Sequence, residues 1–500
     1  MVYDVIVVGG GIGGLTTAAL LAARGASVCL FEREARVGGC AATFEKFGYE
    51  FEAGASLYSS WQPGEIHERV FSELPSPAPE VRPVSPAYVV RLPDETEVAL
   101  TENDDEFEES LRAAFPECAE RAVAFYRELA PICEALRRTA RRVPDLRTAS
   151  KMRRFQATAH EARVARRALA ALNHTTAQHL DGASTRFRRF IDVQLQIFAQ
   201  CASDSCAYLY AAVALMLPRR GMYTMRGGAS SLAATLLEAI RKSGGTVRLN
   251  TSVLRLAYDS SGHVVGVDLL SGERVEARRA VVSNLTVWDT YGKLVGTQRT
   301  PDDMRRRLKN LRGWGAYLIY LGLDEEAAAR LPADHLLALT GWQEGQSYDP
   351  EQSQFMFASA PAWDTRAPAG RRAATVCAFT EASQWFAFHE DETEHEEQDQ
   401  RHLEAWWERL HASMPELGAG CEVIETATPR TFYDNTRRRL GMVGGIGQSL
   451  ETFGMNSLSH RTSLPNLYMV GDSTFPGQGI AAVTQSGLIV ANEIVPPSKR

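Results

Sequence analysis

Residues 3–32, "YDVIVVGGGIGGLTTAALLAARGASVCLFE", constrain the fold more than any other part of this 500-residue chain. Behind Asp4, Val5-Ile6-Val7-Val8 is β-branched and wholly apolar, the pattern of a parallel strand buried on both faces. Gly9, Gly11 and Gly14 then match G-x-G-x-x-G, with Ile12 and Gly13 inside the same turn. Gly9 permits the tight turn, Gly11 lets backbone meet a pyrophosphate, and Gly14 lets helix and strand pack closely. The pattern predicts a helix from Leu15 to Arg24 whose N-terminal amides face the phosphates, then a second strand from Ser27 to Phe31. Glu32 ends that strand 18 residues after Gly14, where an acid accepts hydrogen bonds from a ribose 2′-hydroxyl. A carboxylate there would repel a phosphorylated ribose. The motif alone leaves NAD and FAD both open.

From Val5 to Ala23 no residue is charged, so a hydropathy window reads a membrane span. The triple glycine breaks the run, Asp4 precedes it and no basic region leads in, which argues against a signal peptide or an anchor. The default expectation is therefore a cytoplasmic protein. A net charge of −7 gives no reason to expect nucleic acid. The eight cysteines (29, 40, 118, 133, 201, 206, 377, 421) show no CxxC, which fits a reduced chain better than a disulfide framework or a metal site. Oligomeric state is not legible.

The other end of the chain, "VGDSTFPGQGIAAVTQSG" (470–487), places small residues where a core helix would carry Leu and Ile. Something must approach this backbone closely. Between the ends, "MRGGASSLAATLLEAIRKSGG" reads as a glycine turn and amphipathic helix feeding a strand at Val247–Leu256. "GHVVGVDLLSGERVEARRAVVSN" reads as two alternating strands around Ser271-Gly272 and then an apolar strand.

Two insertions remain, 76–219 and 291–429. The first carries fourteen Lys or Arg against three acids between Arg137 and Phe190. Those basic faces read either as solvated helix surface or as a dock for an anionic membrane surface, peripheral on its inner face. "AYLYAAVALMLP" (207–218) is too short to span a bilayer and reads as core or tunnel lining, or as a shallow membrane dip. In the second insertion, "FHEDETEHEEQDQRHLEAWWERL" puts His389, His395 and His402 among acids. The spacing fits no familiar ligand set, and a charged exposed helix is expected. No HExxH, G-x-S-x-G or Walker motif occurs.

After Glu32, "EREARVGGCAATFEKFGYEFEAGAS" places Gly38-Gly39 ahead of a hairpin-like stretch ending at Gly54-Ala55-Ser56. Together with "GDSTFPGQGIAAVTQSG" and "ATPRTFYDNTRRRLGMVGG", this resembles the flavin amine oxidase superfamily. Within it the chain is most similar to the phytoene desaturase-type branch, on the side of carotenoid cis–trans isomerases and retinol saturases. The resemblance implies an α/β, two-domain FAD-binding Rossmann-like fold (flavin amine oxidase/GDI-like). Its cofactor domain would be discontinuous (1–75, 220–290 and 430–500), and its substrate domain (76–219 and 291–429) would be built of helices and an antiparallel sheet. It implies FAD contacts from Gly9, Gly11, Ile12, Gly13, Gly14, Glu32, Arg33, Gly38, Gly39 and Cys40, then Val253 for the adenine. Gly471, Asp472, Gly479, Ile480 and Ala481 would contact the ribityl chain and flavin ring.

One position departs from the pattern: desaturases of this branch carry Arg directly after Gly-Gly, and this chain has Cys40. The resemblance implies a hydrophobic polyene substrate that is desaturated, isomerised or saturated by the cofactor, so no catalytic side chain is assigned. Tyr58, Trp61 and Arg226 lie in stretches expected near the flavin, each with an equally good structural reading. Two other readings stand beside this one. The first is an FAD-dependent dehydrogenase tailoring a secondary metabolite or amino compound. The second is a prenyl-protein-binding chaperone of the same fold.

Overall fold

The computed structural model describes residues 1–54, 56–142, 162–387 and 391–497. Its first layer is a sheet in which Val2–Val8 lies between Val28–Phe31 and Arg274–Ser283, parallel to both. Thr246–Arg248 adds a further parallel strand beside Val28–Phe31. The register pairs Val5 with Val28 and Ala280, and Val8 with Phe31 and Ser283. Leu467–Met469 joins parallel to the C-terminal half of Arg274–Ser283. The N-terminal half of that same long strand turns back through an antiparallel meander, Val264–Leu269 and Val253–Tyr258.

Alternation along the buried strands decides what covers each face. Val5, Val7, Val28 and Leu30 pack under helices Ile12–Ala23, Gly228–Lys242 and Ile480–Ile494. Ile6, Val8, Cys29 and Phe31 point the other way, onto Leu256, Val264 and Val267 of the meander. The first helix begins at Ile12, three residues before the expected Leu15. The strand expected over Val247–Leu256 is two strands. Asn250, at φ 51°, turns the chain, and the backbone of Asn250 and Thr251 bonds back to Glu34 and Glu32.

The second sheet orders its seven strands as Cys421–Ala427, Gly315–Asp324, Arg371–Thr380, Gln354–Ser359, His335–Leu339, Val89–Arg91 and Glu97–Ala99. Every pairing is antiparallel except that of His335–Leu339 with Val89–Arg91. Both insertions thus contribute to one sheet. Leu337, Leu339, Met356 and Ala358 face helices Asp104–Ala114, Ala119–Arg142, Thr185–Ala199 and Tyr208–Met216. Leu336, Ala338, Phe355 and Phe357 face Trp406 and Leu410 of helix Glu392–Ser413. Tyr208–Met216, the apolar run of the first insertion, is core in this cluster.

Among the described residues no helix is long and apolar enough to cross a membrane, and no cluster of His, Cys, Asp and Glu could hold a metal ion. His395 and His402 pack their rings around Trp385, at 5.8 and 4.6 Å between centroids. His389 and the centre of the basic stretch, 143–161, lie outside the described residues. The eight cysteines are free thiols.

Candidate functional site: a glycine cradle and its C-terminal counterpart

The C-terminal ends of the parallel strands are where an open α/β sheet receives a ligand. Here the turn after Val8 is tied down by Gly9, whose N–H donates to the Phe31 carbonyl at 2.8 Å. A Cβ on Gly14 would stand 2.4 Å from the Gly9 carbonyl oxygen, so the helix reaches the turn only because Gly14 has none. Gly38 closes the cradle from the side by donating to the Gly10 carbonyl at 2.8 Å, and Gly39 lies exposed next to it. Helix Ile12–Ala23 starts at Gly11 with no side-chain cap, which leaves its first N–H groups to a ligand.

Glu32 accepts from Gly10 N–H at 2.6 Å and from Glu34 N–H at 2.9 Å. A carboxylate has about four acceptor positions, so roughly two remain for hydroxyls. Val253 opens the strand that follows the turn bonded to Glu32 and Glu34. Arg33 turns aside: it pairs with Glu34 and reaches toward the carbonyls of Asp434 and Asn435.

The C-terminal stretch meets this cradle directly. Gly471 N–H donates to Ser486 Oγ at 3.0 Å, and a Cβ on Gly13 would lie 3.2 Å from the Gly471 nitrogen. The small residues further on answer to a helix crossing. A Cβ on Gly487 would come within 2.8 Å of the Gly13 carbonyl oxygen and 2.9 Å of Thr16 Cβ. What approaches that backbone is the first helix. The first turn behaves differently: Gly479 precedes Ile480 and Ala481 without a side-chain cap, a Cβ on it would meet nothing within 4 Å, and both following residues stay half-buried. An uncapped helix start beside open space suits a group that gains negative charge. Two uncapped helix starts and a carboxylate with acceptor capacity to spare together fit a dinucleotide-linked flavin.

Two residues at this site carry no signal that motif reading picked up. Asn284, the residue after strand Arg274–Ser283, is wedged in the cradle: a Cβ on Gly11 would lie 2.6 Å from its Nδ2, and one on Gly13 2.9 Å from its Oδ1. An Asn at the C-terminal end of a central apolar strand is the sequence clue that could have found it. Arg438 donates from Nη2 to Asp472 Oδ2 at 2.8 Å and from Nε to the Met442 carbonyl at 2.7 Å. Burial works against its charge, but the Asp472 carboxylate outweighs that and raises its pKa above the usual guanidinium value. Burial pushes the Cys40 thiol up, with Arg438 opposing, so Cys40 is a protonated thiol.

The three other residues considered near the flavin each have partners within the protein. Tyr58 donates to Glu52, Trp61 stacks on His67 at 4.0 Å, and Arg226 pairs with Glu80 at 2.6 Å while lying over Trp363. Glu52, in strand Tyr49–Glu52, anchors a buried cluster that ties the loop after Gln354–Ser359 to strand Met222–Met225 and to the start of helix Gly228–Lys242. Arg366 donates to Glu52 Oε2 at 3.1 Å, to Asp364 Oδ2 at 2.6 Å and to the Met225 carbonyl at 2.7 Å. Burial raises the Glu52 pKa, and Arg366 pulls against it. Glu52 also accepts from Ala229 N–H at 2.9 Å, and Asp364 from Gly227 N–H at 2.8 Å.

A βαβ glycine cradle, a carboxylate at the end of its second strand with acceptor positions to spare, and a C-terminal stretch packed against the same turn fit a dinucleotide-binding flavoprotein built on two large sheets. The chain belongs to the family of flavin containing amine oxidoreductases, whose sequence model matches residues 12–495, and its cofactor is FAD. Among curated proteins it is similar to the chloroplastic prolycopene isomerase of Arabidopsis thaliana, at 26% identity over 98% of this chain and 82% of that protein. It is also similar to all-trans-retinol 13,14-reductase of Homo sapiens, at 23% identity over 98% of this chain and 85% of that protein. Among solved structures, a putrescine oxidase with bound putrescine shares the fold at 14% identity (TM-score 0.64, 99% of this chain, 100% of that one). An oxidoreductase from Methanosarcina mazei does so at 15% identity (TM-score 0.64, 98% and 99%).

Proposed function

We propose that this protein is an FAD-dependent enzyme acting on the carbon–carbon double bonds of a hydrophobic polyene, as a cis–trans isomerase or a saturase. The observation that carries this reading is similarity over 98% of the chain to both a prolycopene isomerase and a retinol 13,14-reductase. Cys40 in place of the desaturase Arg points the same way.

Gly9, Gly11, Ile12, Gly13, Gly14, Gly38 and Gly39 would hold the pyrophosphate, Glu32 the adenosine ribose, and Asp472 a ribityl hydroxyl. The start of helix Ile480–Ile494 would face the flavin ring. When bound, FAD supplies the exchange of electrons with the conjugated chain. The protein's own part is to orient that chain, exclude water and stabilise negative charge through the uncapped N–H groups beyond Gly479.

The test is the mass and absorption spectrum of polyenes in a carotenoid-producing host expressing the chain. Unchanged mass with a shifted spectrum is the isomerase outcome, and a gain of two hydrogens the saturase outcome. Loss of two hydrogens would move the assignment to desaturation. An FAD-loaded protein that alters no pigment would refute a carotenoid substrate.

The same reading includes docking on an anionic membrane surface through 137–190. Arg166 is exposed beside Leu169 and Leu172, which are 64% and 46% exposed, a basic and apolar combination suited to a lipid interface. Much of the remaining basic charge is engaged: Arg137 and Arg141 with Glu65, Arg186 with Asp94, Arg189 with Asp192. Docking is therefore expected to be weak, to need anionic lipid and to fall with salt. Binding to neutral vesicles as strong as to anionic ones would refute it.

A further inference from the structure

The FAD pyrophosphate carries two negative charges, and the glycine turn itself offers it backbone N–H groups. Two of the guanidiniums near Glu32 are paired within the protein, while Arg36, two residues before Gly38, is exposed to solvent. Arg33 pairs with Glu34, and Arg248 makes two bonds to Glu273, at 2.8 and 3.0 Å, while lying over the Phe31 ring. Arg438 is placed differently. Asp472, its partner at 2.8 Å, directly follows Gly471, which faces Gly13 across the cradle. The loop carrying Arg438 is pressed against that turn, since a Cβ on Gly445 would stand 2.5 Å from the Asp472 carbonyl oxygen.

The pair is half-closed from solvent, with side chains 17% and 19% exposed. The two hydrogen bonds of Arg438 use Nε and Nη2, and no partner for Nη1 is found among the described residues. Cys40 follows Gly39, and Arg438 and Asp472 are the charges acting on its thiol.

We infer that Arg438 is the cation of the pyrophosphate site, with Nη1 directed at a phosphate oxygen while Asp472 orients the guanidinium and accepts from a ribityl hydroxyl. The guanidinium that serves the site thus comes from a loop near the C-terminal end of the chain, beside Asp472. A planar guanidinium held by a carboxylate on one edge presents the other edge in fixed geometry, so the contact costs little side-chain entropy. This rests on FAD as the cofactor and not on the polyene assignment, so the pigment experiment can fail without touching it.

The experiment measures flavin binding to the full-length apoprotein by fluorescence quenching, with FAD and riboflavin in parallel. Riboflavin lacks the phosphates, so a phosphate contact separates the two ligands. Arg438→Met should weaken FAD about 10- to 100-fold, the range for losing one hydrogen bond to a charged group, and leave riboflavin within about 2-fold. Adding Cys40→Arg in that background should recover part of the FAD affinity, because it returns a guanidinium next to Gly38-Gly39.

Two results would overturn the inference. One is an equal loss for both flavins, which places the effect in the fold or at the ring. The other is full recovery of FAD binding in Arg438→Met with Asp472→Asn, which makes Arg438 only a neutraliser of Asp472. Should Arg438→Met fail to fold, Arg438→Lys keeps the charge but loses the planar fork. It should then weaken FAD and spare riboflavin, and unchanged FAD affinity would overturn the assignment.

Discussion

Replacing Arg366 by Leu tests what the buried Glu52–Arg366–Asp364 cluster contributes to stability. The side chains of Arg366, Glu52 and Asp364 are 4%, 5% and 6% exposed, and the one guanidinium serves both carboxylates and the Met225 carbonyl. In Arg366→Leu, Glu52 keeps Tyr58 and Ala229 N–H, and Asp364 keeps Gly227 N–H, but both lose the cation that offsets their burial. Breaking a buried pair from one side costs about 3–5 kcal/mol. Unfolding entropy of about 2 cal/mol/K per residue gives about 1 kcal/mol per degree for a chain this long, so the melting temperature should fall by roughly 3–5 °C.

The loss should also depend on pH. Burial already raises the Glu52 pKa in the folded state, and removing Arg366 removes what opposes it. An acid whose folded pKa exceeds its unfolded value destabilises the fold progressively as pH rises from the unfolded value through the folded one. The deficit of Arg366→Leu should therefore be larger at pH 8 than at pH 5, and adding Glu52→Gln should recover part of it. Thermal melts of the holoenzyme at both pH values measure this. A variant melting within 1 °C of the parent at pH 8, or one whose deficit grows on acidification, would refute the reasoning.

Two further outcomes follow from the same structure. His335 is fully buried with Nε2 3.2 Å from Ser56 Oγ, and burial lowers its pKa from 6.5 to about 4. Between those values the unfolded chain binds a proton that the native one refuses. Stability should thus fall as pH drops from 6.5 to 4, by up to about 3 kcal/mol, and level off below; His335→Gln should flatten that limb of the melting-temperature profile. Glu32→Arg strips the acceptor from Gly10 N–H and Glu34 N–H and sets a cation where the ribose hydroxyls need an acceptor. The purified variant should therefore lack flavin absorbance, and a normally loaded one would remove Glu32 from the ribose site.

Motif reading reaches as far as interactions that are close along the chain. Val5–Val8, the glycines, the helix and Glu32 form one unit within about thirty residues, so hydrophobic alternation and turn chemistry specify it locally. The C-terminal stretch was legible as a place of close approach, but its small residues serve two purposes that its own letters do not separate. Gly487 admits the first helix, whereas Gly479 leaves a helix start open.

Local pattern determined the βαβ unit, the acid that ends it and the glycine-led helix near the terminus, because each is written in neighbouring residues whose backbone preferences act directly. Tertiary structure alone decided the contacts between distant segments. Asn284 enters the cradle because Arg274–Ser283 pairs in register with Val2–Val8, and Arg438 reaches Asp472 because Gly445 lets its loop lie against that turn. Glu52 and Arg366 meet across 314 positions. Charged residues such as these look like ordinary surface residues in sequence. Their placement depends on strand register and on which backbones approach within a missing Cβ, and chain order leaves both of those open.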